Sequence, residues 1–308
     1  MVRMSRRKKL RILIIVVSII FIGAYARHRY LDDKYTVSGR IQSKAASEIS
    51  GIAGSLSNEG VYYVHNDSGD TSRFFAVKSN GHVLSTIYYN WSMIKAISAH
   101  DCEDIATGPG PVKGKNYIYI ADIGDNNSSK NFVSIYRVAD GTQLIKKKTT
   151  HTTAVALNLK YPDGPKDAET LMIDPVDRLF YIVTKRRDSV TVYTAPLAYK
   201  ADDTVTLTKR CKLFIPGIKP FKWVTAGDIS KDGQQVLLKN YERVYYWLRK
   251  NNEPIWQTMQ TKPRKLSYLQ EKLGEAIGFT NDGSGYYTTS EGVFSYLYYY
   301  HSPSQFGF

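Results

Sequence analysis

Cysteine is nearly absent: Cys102 and Cys211 are the only two among 308 residues. That excludes the disulfide framework on which small secreted domains rely, and the two do not have the spacing of a zinc site. They could pair in an oxidising compartment. One falls on an expected inner strand and the other on an outer strand, however, so two unpaired buried thiols are expected. The chain also lacks a G-x-S-x-G elbow, a P-loop and any catalytic Cys/His arrangement. No long amphipathic helical pattern stands out. With neither an Arg-Gly repeat nor a basic helix, nucleic acid is not an expected partner.

What the chain has instead is 24 Tyr, together with Thr, Val and Ile, residues that fit a pleated, half-buried surface. This argues for an all-β protein. The net charge of +14 is uneven. Residues 1–27 carry seven basic side chains (Arg3, Arg6, Arg7, Lys8, Lys9, Arg11 and Arg27) and no acid, so 14 − 7 leaves +7 for the rest.

The N-terminus reads as a targeting segment. A basic stretch, 1–11, precedes an apolar run of 15 residues, 12–26, that ends in the small-x-small form Ala24-Tyr25-Ala26. The run is shorter than the roughly 20 residues of a spanning helix. Arg11 and Arg27 could snorkel and let it act as a transmembrane signal anchor, giving a single-pass type II membrane protein. Otherwise it is a cleaved signal peptide and the protein is secreted. Either way, a short stalk at 27–34 and the body at 35–308 lie outside the cytosol, with the membrane as the partner of the N-terminal segment. Asn-x-Ser sequons at Asn66, Asn90, Asn126 and Asn127 fit a glycoprotein on a secretory route.

The body contains a repeat. SGIAGSL, EDIATGP, ETLMIDP, GDISKDG and EAIGFTND begin at residues 50, 103, 169, 227 and 275. Each runs through apolar positions into a turn dense in Gly, Pro, Asn or Asp. A second strand follows each, and a third is visible in most; fourth strands are plausible at HVLSTIYY, TTAVALNL and VTLTKRCKLF, and weaker around PRKLSY. This is the pattern of a β-propeller of five four-stranded blades, with a sixth blade an open alternative between 103 and 169. The fifth unit lacks a fourth strand, which YTVSGRI at 35–41 can supply to close the ring.

In such a ring the inner-strand starts and the second-strand ends share one face. The starts bring Ser50, Glu103, Glu169, Asp228 and Glu275, the candidate metal ligands, with Asp104 and Asp167 beside them. The ends bring His65, Asp67, Asp70, Asn240 and Glu291 as ligand-binding candidates, and Asp122, Asp125, Lys185 and Arg186 as catalytic ones. Crowded carboxylates repel and raise one another's pKa unless a cation intervenes, and Ca²⁺ is the natural hard cation outside the cell. The alternative is that these acids pair with Lys185, Arg186, Lys239 or backbone amides and only hold the ring together.

SGIA…HNDSGD, EDIA…DIGDNN, YPDGPKDAETL, TAGDIS and GEAIGFTNDG resemble the motifs of a widespread family of β-propeller proteins, bacterial and invertebrate, without an assigned activity. The likeness covers roughly residues 48–292 and implies the fold; Cys102 stands where relatives commonly carry Trp. The plan is also similar to that of calcium-activated nucleotidases, five-bladed propellers with a central Ca²⁺. That likeness is architectural and implies a central metal rather than nucleotide hydrolysis. Two functions stay open. One is a binding or scaffold module for an extracellular ligand. The other is a calcium-dependent hydrolase of a phosphorylated or sugar substrate, with Asp122 or Asp125 as base and Lys185 and Arg186 receiving negative charge.

Overall fold

The structure, a computed structural model, describes residues 6–32, 35–89, 101–186 and 188–303, with 6 and 24–32 by backbone only. Residues 35–303 form the expected five-bladed propeller. The inner strands Ile49–Gly54, Cys102–Pro109, Ala168–Asp174, Val224–Ile229 and Ala276–Phe279 contact one another in cyclic order around the axis. The stretch between 103 and 169 holds no sixth blade; its one extra strand, Thr149–Thr152, is added to blade one.

Each blade is four antiparallel strands, and two are wider than expected. Thr149–Thr152 adds to the outer edge of blade one and Thr204–Thr206 to that of blade two, both in parallel. The ring closes as its incomplete fifth unit requires: Thr36–Arg40 pairs with Tyr296–His301, matching Thr36 to Tyr299 and Arg40 to Tyr296. Gly39 sits where an added Cβ would lie 2.1 Å from the Asn80 carbonyl oxygen, so the closing strand fits against blade one only without a side chain there.

The second strands explain the apolar runs. Val61–Asn66 and Gly285–Thr289 are buried at every position because each lies between two neighbouring blades. Five separate apolar cores result, one at each blade-to-blade interface. Tyr119 meets Phe180 edge-on at 5.2 Å across blades two and three, and Tyr62 meets Tyr287 at 4.8 Å across blades one and five. Such pairs each stabilise by about 0.5–1.5 kcal/mol beyond area burial. A blade has no complete core alone, so the ring is the folding unit.

Near the axis the chain is built of small residues for a steric reason. A Cβ on Gly278 would come within 2.3 Å of the Ile52 carbonyl oxygen. Acids reinforce the ring: Asp104 accepts the Leu171 N–H at 2.9 Å and Asp228 the Phe279 N–H at 2.8 Å, each reaching the next blade.

Both cysteines are free, Cys102 on an inner strand and Cys211 on an outer one. The N-terminal helix α1, Arg6–Asp32, exposes its apolar side chains from Leu10 to Ile22. Among the described residues no helix is long and apolar enough to cross a membrane. The apolar run expected to act as an anchor, 12–26, lies within this helix, and Arg11 and Arg27 bound it on both sides. Asn66 also departs from expectation. Its amide is buried and donates to Ala45 O and to Asp70 in the folded ring, so this sequon is not available to an oligosaccharide. Asn90 lies outside the described residues.

Candidate functional site

A local irregularity shapes the mouth of the channel. In blades one to four the inner strand begins with a β-bulge, at Ile49/Gly51, Cys102/Asp104, Ala168/Thr170 and Val224/Ala226. A bulge adds one residue and re-aims a side chain. The added residues are Ser50, Glu103, Glu169 and Thr225, and Glu275 stands at the same place before Ala276 in blade five. All five are buried.

The register therefore corrects one ligand. Blade four's counterpart of Glu103 is Thr225, and Asp228 lies three residues deeper, roughly 10 Å along the strand. The carboxylate of Asp228 accepts the N–H groups of Ile229 and Phe279, and it faces a hollow with Leu56, Thr107 and Asn281, where the inner strands end. The acids form an arc through blades five, one, two and three that is open at blade four.

Within that arc three triads have ligand oxygens within 4.8 Å of one another: Asp67, Asp101 and Glu103; Asp67, Glu275 and Glu291; Glu103, Asp167 and Glu169. Asp67 and Glu103 are shared, which makes seven carboxylates. Three cations reach them among the described residues: Lys185 at 2.5 Å from Glu169, Arg186 on Asp167, and Lys130 at 3.7 Å from Asp101. If all seven were ionised they would outnumber these three close cations by four, with Lys239 adding one more distant positive charge on the Glu275 side. Glu275 also receives the Tyr241 hydroxyl, and Ser50 donates to the Glu103 carbonyl at 2.8 Å.

The electrostatics follow from this crowding. Burial pushes Asp67 up to about 6, with Glu275 and Asp101 adding repulsion. Burial takes Glu291 to about 7, beside Glu275 and Asp67. Glu103 is held well above the ordinary carboxylate range by burial and by Glu169. Glu169 rises to about 8 through burial, although Lys185 pulls it down. Two oxygens in the arc, Oδ1 of Asp67 and Oε2 of Glu169, are buried without a hydrogen-bond partner. Protons or a cation must balance these groups.

Other sequence candidates have local duties. Asp125 accepts the N–H groups of Ser129 and Lys130 and folds its own loop. Asp122 accepts the Asp101 N–H at 3.2 Å and lies 3.5 Å from the Tyr136 hydroxyl. So the run YIYIAD ends in oxygens that hold neighbouring backbone: Asp122 ties to the start of the inner strand at Asp101, and Asp125 folds the loop that follows. Asp70 binds Arg73 and Asn66, and Asn240 Oδ1 closes the turn at Glu242 and Arg243. His65 is buried, its Nδ1 is 2.8 Å from Asn66 O, and burial lowers it to about 4. Lys185 and Arg186 are ion-paired inside the arc.

Sequence reasoning missed Asp101, Tyr241 and Thr225. Asp101 was legible as the acid two places before Glu103. Thr225 depends on the bulge register, which has no sequence marker of its own, and Tyr241 stands directly after the second strand Gln235–Asn240, where its hydroxyl reaches Glu275. Neither the family profiles nor the curated proteins compared with this chain give a match.

Proposed function

We propose that the protein is an extracytosolic binding module whose channel mouth holds a calcium ion in the carboxylate arc. One observation carries this reading: seven carboxylates meet three cations, with buried oxygens on Asp67 and Glu169 left unpartnered. A hard divalent cation with oxygen ligands relieves both problems at once. Glu103 and Asp67, the shared members, would be central, with Glu169, Asp167, Asp101, Glu275 and Glu291 around them. The basic and apolar N-terminal segment supports delivery out of the cytosol, as an exported or membrane-attached protein. The scaffold reading is favoured over hydrolysis because the proposed bases, Asp122 and Asp125, already accept backbone N–H groups.

Calcium titration calorimetry on EDTA-treated full-length protein tests this. Saturable binding that weakens strongly in Glu103→Gln is expected. Absence of binding heat near neutral pH, together with no calcium effect on melting, would overturn it.

A further inference from the structure

The gap in the acid arc at blade four opens onto a cleft of about 430 Å³ lined by Pro220, Phe221, Trp223, Tyr241, Glu271 and Leu273, with Gln270 and Lys272 at its edge. Its size is that of a small-molecule site. The cleft joins the arc directly, because Tyr241 lines one and hydrogen-bonds Glu275 in the other.

Several features make it more than a surface dent. Phe221 and Leu273 are 48% and 46% exposed, so apolar surface faces water at the entrance. Leu273 has φ +51°, a left-handed conformation that a bulky residue seldom adopts and that the surrounding fold must impose. Its carbonyl is held by the Glu291 N–H. Two buried polar groups line the cleft: the Trp223 Nε1–H, which has no hydrogen-bond partner, and the Glu271 carboxylate, whose oxygens make no close hydrogen bond and have the Tyr268 and Thr288 hydroxyls beside them. Arg186 pairs with Asp167 and stacks at 5.0 Å on the Trp223 ring. Lys239 donates to Gly274 O, lies 4.7 Å from the Tyr268 ring and sets a positive charge behind Glu271, and Lys272 lines the cleft from the other side.

We propose that this cleft binds a small organic ammonium, its apolar body against Trp223, Phe221, Tyr241 and Leu273 and its charged nitrogen at the Glu271 carboxylate. Three aromatic walls beside a carboxylate suit a cation, since ring faces attract positive charge. The unpartnered Trp223 N–H adds a preference for an oxygen acceptor on the same ligand. The site does not depend on calcium in the arc, which is a separate set of carboxylates.

The test uses full-length protein in EDTA and three probes of one shape: phenethylammonium, 2-phenylethanol and 3-phenylpropionate, titrated by calorimetry. The ammonium should bind roughly tenfold or more tightly than the alcohol, the scale of a desolvated cation–π contact, and the carboxylate should bind worst. Glu271→Gln should erase the preference for ammonium over alcohol, and Trp223→Ala should weaken both. Equal binding of ammonium and alcohol, tighter binding of the carboxylate, or unchanged preference in Glu271→Gln would overturn the proposal. The calcium titration, repeated on Glu271→Gln, reads the arc separately. Loss of ammonium binding with calcium binding intact separates failure of one reading from failure of the other.

Discussion

Replacing Glu169 by Gln distinguishes a metal centre from an internal ion-pair network. Glu169 is 1% exposed, touches Lys185 and shares a triad with Glu103 and Asp167. Without a cation, the sign of its pH effect is fixed. Its folded pKa of about 8 lies above the ordinary 4.5, so between those values the folded chain holds a proton that the unfolded chain has lost. Stability is therefore greatest below about pH 4.5 and falls as pH rises to about 8. Asp67 and Glu291, raised to about 6 and about 7, act in the same direction.

Calcium displaces those protons, so its stabilisation should be weak at pH 5 and strong at pH 8. At a hundredfold excess over Kd it contributes about 2.7 kcal/mol. For a domain of this size that is roughly 5–10 °C in Tm. In EDTA near pH 7.5, where Glu169 is mostly protonated, Glu169→Gln changes little charge and keeps an acceptor for Lys185, which also feels Glu275 and Glu103. The Tm should stay level or rise. In millimolar calcium the variant should lose most of the wild-type gain. If Glu169 serves only Lys185, the substitution strands a buried ammonium and costs about 3–5 kcal/mol in either buffer. Scanning calorimetry of both proteins at pH 5 and pH 8, with EDTA and with calcium, separates the two. Equal loss in EDTA and calcium, with a wild-type Tm indifferent to calcium, refutes the metal centre.

Asp228→Asn should cost about 1–3 kcal/mol through weakened N–H acceptance at Ile229 and Phe279, by the same amount with and without calcium, as urea unfolding would show; a calcium-dependent cost would return Asp228 to the metal site. Gly39→Ala forces a Cβ against the Asn80 backbone, so it should destabilise by about 1–3 kcal/mol, and an unaltered Tm would contradict the closing contact. In a eukaryotic secretory host, enzymatic deglycosylation should shift the mobility of wild-type protein but not of Asn90→Gln at that site, while Asn66→Gln should leave the pattern unchanged. A protein with no shift at Asn90 counts against extracytosolic delivery.

The fold was legible because its two strongest signals are local. Runs such as VYYVHN and YIYIAD are apolar at nearly every position only where a strand is covered on both faces, and the incomplete fifth unit matched the one unassigned strand, 36–40. The outer edges were less legible. Thr149–Thr152 and Thr204–Thr206 are short and half exposed, and their parallel pairing carries no turn signal. The site was read at the level of face but not of register. An acid in blade four was aligned by the motif GDIS, whereas the bulge at Val224/Ala226 places Thr225 in the arc and leaves Asp228 deeper in the channel. Because side chains alternate between faces, a slip of this kind decides whether a carboxylate faces a cation or a backbone N–H. The same reasoning explains why Glu103 and Asp104, adjacent in sequence, have different work. The bulge puts Glu103 among the carboxylates of the mouth, while Asp104 accepts the Leu171 N–H and joins blade two to blade three. A cluster of acids at the head of each repeat is thus two populations, one that ties blades together and one that needs a counter-charge, and the ladder register separates them.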